Sequence, residues 1–106
     1  METPNMSYIH SMSGGDKAFE AKIIGIIKSE FPEEKQVYVD QMSAGQFKPA
    51  SESVHKLKHK ISILGLEKSY EVAVAFEMNL LEGSTARQDE FEAILSNMTQ
   101  FIERLN

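Results

Sequence analysis

Residues Val54 to Leu66 read VHKLKHKISILGL, and their spacing decides the fold. Val54, Leu57, Ile61 and Leu64 recur at steps of three and four, so one helix face is apolar and must be buried. Gly65 follows and suits the left-handed residue that closes a helix, which places this helix over 49–64. Upstream, Phe19, Ile23, Ile26 and Ile27 form a second stripe, expected to be buried, in a helix over 14–31. Ser13 and Asp16 have the spacing that satisfies free amides at its start. Pro32 is expected to end that helix and open another over 32–46, with Glu33 and Glu34 complementing its dipole. Val37-Tyr38-Val39 favours strand locally, but a lone short strand has no partner here, so helix is expected.

Downstream, Leu66, Tyr70, Ala73, Phe76 and Leu80 mark a helix over 66–82. Phe91, Ile94, Leu95, Met98, Phe101, Ile102 and Leu105 mark the last, over 86–105, with Thr85 and Gln88 at capping-box spacing. The simplest assembly is all-α: an antiparallel four-helix bundle with a short extra helix at the N-terminus. The 106 residues fit a single domain, with 1–13 as a leading segment.

Composition narrows the function. There is no cysteine, so thiolate chemistry is excluded and a cytoplasmic setting is expected. A net charge of −5 argues against nucleic acid as the main partner. No apolar run approaches the ~20 residues that span a bilayer, and the N-terminus has no leader pattern, so no membrane role is expected. No glycine-rich phosphate loop is present. Met1 and a complete set of helices favour a free-standing protein, and a monomer is expected.

His55 lies roughly 140° from the centre of the apolar seam on a helical wheel, so it is expected to face solvent. Lys58 and His59 follow it by three and four residues and share its side of the helix with Ser51 and Ser62. Between Lys48 and Lys60 stand four lysines and only Glu52 as an acid, a local charge of +3 against −8 for the remainder. A neutral imidazole is a nucleophile, and nearby ammonium groups oppose a second positive charge on the ring. They also stabilise charge on transferring phosphoryl oxygens. On composition and spacing alone, the plainer reading is a solvated helix face with two incidental histidines.

Val54-His55-Lys56-Leu57-Lys58, then Leu64-Gly65-Leu66 and Phe76-Glu77, resemble the signature of the histidine-containing phosphotransfer (HPt) family. Ser13-Gly14-Gly15-Asp16 with Phe19 is similar to that family's approach to its first bundle helix. The resemblance covers nearly the whole chain. It implies that His55 accepts the phosphoryl group and that Lys58 stabilises it. It implies a phosphorelay carrier, not an ATP-using enzyme, exchanging phosphoryl groups with receiver domains of response regulators and hybrid histidine kinases. The domain itself would need no cofactor, because the receiver brings Mg²⁺. Ser51, Lys56, His59, Ser62 and Ile63 are the expected docking residues. His59-Lys60-Ile61 departs from the family, which usually keeps small residues after the lysine. That departure sustains an alternative, a non-catalytic HPt-like interaction module. His55 and His59 also have metal-ligand spacing, but no third ligand is near in sequence and lysines repel a cation, so no metal is expected.

Overall fold

The computed structural model describes residues 2–105. Five helices account for the architecture: α1 Ser7–Ser13, α2 Lys17–Ser43, α3 Phe47–Ile63, α4 Glu67–Leu81 and α5 Gln88–Glu103. No strand occurs among the described residues, and Val37-Tyr38-Val39 is helical as expected. The molecule measures 43 × 23 × 19 Å. α3 packs against α2 on one side and α4 on the other, while α5 closes against α4 and α2.

The largest correction concerns Pro32. It does not divide two helices; α2 runs through it for 27 residues. An interior proline costs about 3 kcal/mol through a lost hydrogen bond and a ring clash. Here the buried face of α2, Ile27, Phe31 and Tyr38, spans the proline. Burying each large side chain contributes roughly 1.5–3 kcal/mol, so packing on both sides of Pro32 outweighs the break. Glu33 and Glu34 therefore sit mid-helix and complement no helix start.

The helix starts also differ from the sequence reading. Asp16, not Ser13, caps α2: its Oδ1 accepts from the amides of Ala18 at 3.0 Å and Phe19 at 3.2 Å. Ser13 instead ends α1, which occupies most of the leading segment, and Gly14 and Gly15 turn the chain in the left-handed region. α5 begins at Gln88, later than expected, after Arg87 takes a left-handed conformation with φ 73°. The Arg87 guanidinium donates to Asn79 Oδ1 at 2.9 Å, which ties that residue to the end of α4.

Tyr38 joins three helices. Its ring meets Phe91 of α5 at 5.3 Å and Phe76 of α4 at 6.2 Å, both edge to face. Its hydroxyl donates to Glu92 at 3.0 Å. Burial, reinforced by that carboxylate, pushes the phenol well above its usual range, so the ring stays a neutral donor.

The turn from α3 to α4 is fixed from the N-terminus. Gly65 closes α3 with φ 76°; its amide donates to Ser62 and the Leu66 amide donates to Ile61. Asn5 lies across this turn, its amide donating to the Leu64 carbonyl at 2.9 Å. Glu2 then supplies the cap that Leu66 lacks: its carboxylate accepts from the amides of Lys68 at 2.9 Å and Ser69 at 2.7 Å. Burial raises the Glu2 carboxyl, but those amides and the Lys68 ammonium outweigh it and leave the group below its usual value.

Two outcomes follow. A Cβ on Gly65 would stand 2.6 Å from the Asn5 side chain, whereas one on Gly83, at φ 77°, would meet nothing within 4 Å. Gly83→Ala is expected to cost only the left-handed penalty of about 1–2 kcal/mol, and Gly65→Ala more, by urea denaturation; equal losses would show that Asn5 yields freely. For Glu2, a folded value below the unfolded one means stability is present above the unfolded range, near pH ~4, and lost as pH falls through the folded value. Glu2→Gln is expected to lower the urea midpoint at neutral pH, with the deficit shrinking in acid. A deficit constant with pH would mean the charge is not what fastens the N-terminus.

Candidate functional site

α3 buries Ala50, Val54, Leu57 and Ile61, and this fixes its rotation. His55 then stands outward with 54% of its side chain exposed. Its Nδ1 lies 3.2 Å from Glu77 Oε2 on α4. A carboxylate only accepts, so the contact is a hydrogen bond when Nδ1 carries the proton, and the lone pair is then on Nε2. The other oxygen of Glu77 accepts from the Lys58 ammonium at 3.0 Å. Lys58 also lies 5.8 Å from the centroid of the Tyr70 ring, so its stem runs along α4 and its charge is held beside His55. His59 meets His55 edge to face, with ring centroids 4.9 Å apart.

His55, Lys58 and His59 are thus brought together as the sequence suggested, and Glu77 completes the group. Glu77 escaped the helical-wheel argument because spacing rules connect residues within one helix and it lies on another. Phe76-Glu77 belongs to the stretch that carries the family resemblance, but that resemblance assigns Glu77 no role; the burial of Phe76 fixes this turn of α4 against the bundle.

Several expected residues lie elsewhere. Ser51 is buried, its hydroxyl donating to the Lys48 carbonyl at 2.6 Å, so it cannot touch a partner. Lys60 does not add charge to the His55 face. It turns toward α2 with 9% of its side chain exposed, between Glu30 at 2.9 Å and Glu34 at 3.0 Å. The local basic excess is therefore mostly matched: Lys60 by two acids, Lys58 by Glu77. Lys56, His59 and Ser62 are exposed and Ile63 is half-buried. His10 is also exposed, 3.0 Å from Glu20, and that contact holds the Glu20 carboxyl below its usual range.

The stripe on the first half of α2 is buried only in part: Ile27 lies in the core and Ile23 packs half-buried against it, but the other two do not. Phe19 is 41% exposed and Ile26 46%, because only short α1 covers this stretch. With Met12, Ile23, Ile63 and His59 they line an apolar groove of about 340 Å³ beside the His55 face. No group of three or more potential metal ligands occurs among the described residues, and none of their helices is long and apolar enough to cross a membrane. No family model, curated protein or solved structure matches the chain.

The Glu77 contact makes a direct prediction. Ring ¹⁵N shifts should report His55 as the Nδ1–H tautomer in the wild type and a shift toward Nε2–H in Glu77→Ala. An unchanged tautomer would remove Glu77 from any role in preparing the ring.

Proposed function

We propose that the chain is an HPt carrier that receives a phosphoryl group on His55 Nε2 from one receiver domain and delivers it to another. The observation that supports this most is an exposed imidazole held through Nδ1 by a carboxylate, with a lysine matched to the same carboxylate, inside the His55-Lys56-Leu57-Lys58 motif. The fold that belongs to this reading has α2 to α5 as an antiparallel four-helix bundle, with α1 as the extra N-terminal helix.

The chemistry follows from the geometry. The Nε2 lone pair attacks phosphorus of an aspartyl phosphate. The bond from phosphorus to the carboxylate oxygen breaks, and the receiver's aspartate leaves as its anion. The proton on Nδ1 stays in place, so the ring becomes a phosphorylated imidazolium. Glu77 faces that new positive charge and stabilises it as it forms. Lys58 offsets the negative charge that Glu77 brings near an incoming phosphoryl group. Delivery is the reverse, with a second aspartate as nucleophile. Mg²⁺ belongs to the receiver by the resemblance, and no step here uses it.

Docking involves Lys56, His59, Ser62 and Ile63, joined by the apolar groove of Met12, Phe19, Ile23 and Ile26. Large apolar side chains exposed side by side suit a protein partner. Ser51 drops out because it is buried.

The test is transfer of labelled phosphate from a phosphorylated receiver. The wild type should take up acid-labile, base-stable label; His55→Gln should take none while keeping its helical circular dichroism; His10→Gln and His59→Gln should still be labelled. Label on His55→Gln would falsify the assignment. A folded wild type that takes label from no receiver in a full panel would favour the non-catalytic interaction module instead.

A further inference from the structure

We propose that His55 and His59 together form a two-imidazole site for a borderline divalent transition metal such as Zn²⁺, and that metal bound there competes with the phosphoryl group for His55. The second clause rests on the function proposed above; the first does not.

Four observations carry the metal site. The spacing His55-x-x-x-His59 puts both rings on one helix face, a turn apart, as zinc-binding helices do. The rings are already adjacent, with centroids 4.9 Å apart and planes at 74°, a separation that two imidazoles sharing one ion at about 2.0–2.1 Å require, so side-chain rotation alone can bring a nitrogen of each to it. Glu77 accepts from His55 Nδ1 at 3.2 Å. A carboxylate behind a ligating ring fixes its tautomer, aims Nε2 outward and strengthens it as a donor. Finally, among the described residues no hydrogen bond or ion pair engages the His59 ring, which is exposed and therefore available.

The sequence objection was the surrounding lysines. The structure removes most of it. Lys60 points away and is held by Glu30 and Glu34, and Lys58 is matched by Glu77. Glu52, one turn before His55, is exposed and offsets Lys56. A cation approaching the two rings therefore meets a nearly balanced field. Imidazole suits zinc, copper and nickel, and poorly suits magnesium or calcium, so the site discriminates by ligand chemistry. Two protein nitrogens leave the remaining positions of a tetrahedral ion to water, which makes the site open and reversible. Metal on His55 Nε2 occupies the lone pair that would attack phosphorus, so the two uses exclude each other.

The experiment is calorimetric titration of ZnCl₂ into the full chain near neutral pH, in parallel with His55→Ala, His59→Ala, Glu77→Gln and His10→Ala. The wild type should bind one ion per chain with micromolar affinity. Each of His55→Ala and His59→Ala should weaken binding at least ~10-fold, and Glu77→Gln by about 10–100-fold. His10→Ala should bind as the wild type does. No saturable one-to-one binding, binding unaffected by His59→Ala, or loss of binding in His10→Ala would each overturn the site. A second arm adds ZnCl₂ to the labelling reaction, each protein compared with its own metal-free rate. Inhibition should be strong for the wild type and weak for His59→Ala; equal inhibition places the metal on the receiver and overturns the competition. A wild type that binds zinc but never takes label would defeat the phosphotransfer reading and leave the metal site standing.

Discussion

The seam of α3 is the constraint on which the rest depends. Val54, Leu57, Ile61 and Leu64 are completely buried, and only one rotation of a helix places all four inward. With about 100° between successive residues, that rotation leaves no choice for the others. His55 must face out, His59 must follow it one turn on, and Lys60 must turn toward α2. The face that carries His55 and His59 is thus a consequence of packing, set by residues that point the other way. α4 packs along the other flank of α3, and this is what brings Glu77 within reach of the His55 ring.

Two ion-paired lysines refine that rotation. Lys60 is nearly buried and meets Glu30 and Glu34 of α2. Glu30 stays half exposed, but taking Lys60 and Glu34 out of water costs several kcal/mol each, so the group adds little net stability. Lys60 donates to Glu34 Oε2 at 3.1 Å, while the buried Oε1 accepts no hydrogen bond and is matched only by the charge of the same ammonium at 3.0 Å. What the cluster supplies is register: losing either partner strands a buried charge, which discourages α3 from sliding or rotating against α2. Lys58 and Glu77 are covered to a similar degree, with 13% and 21% of their side chains exposed, so this pair ties α3 to α4 as the Lys60 cluster ties α3 to α2.

Helix type and most of the core were legible in the sequence because burial imposes a period that the residues display directly. α3, α4 and α5 lie within a few residues of their expected bounds, and Gly65 closes α3 as its position implied. Pro32 misled because local propensity was weighed without the tertiary contacts of Phe31 and Tyr38 that hold α2 together. Phe19 and Ile26 misled because apolar periodicity says which side chains share a face, not whether anything covers it. At the site, His55, Lys58 and His59 could be grouped because they share one helix. Glu77 and the diversion of Lys60 could not, since both depend on which neighbouring helix each side chain meets.

Glu77 and Lys58 make sense only as a pair. Glu77 alone would orient His55 well and would favour positive charge on the ring, yet it would repel a phosphoryl dianion. Two opposite unit charges about 6 Å apart interact by roughly 3 kcal/mol at an effective dielectric near 20, and like charges repel by the same amount. That is enough to slow an approach by about a hundredfold. Lys58 alone would attract the dianion but would leave the tautomer free and oppose the imidazolium that the proposed transfer would create. Held together, one carboxylate oxygen acts at Nδ1 while the ammonium on the other oxygen offsets the negative charge. The same cancellation lowers the barrier to a metal cation, because a neutral pair repels neither sign of charge. On the proposed reading, a lone pair offered to a phosphoryl group is thereby also open to a metal ion, and His59 is the residue that would give that ion a second ligand.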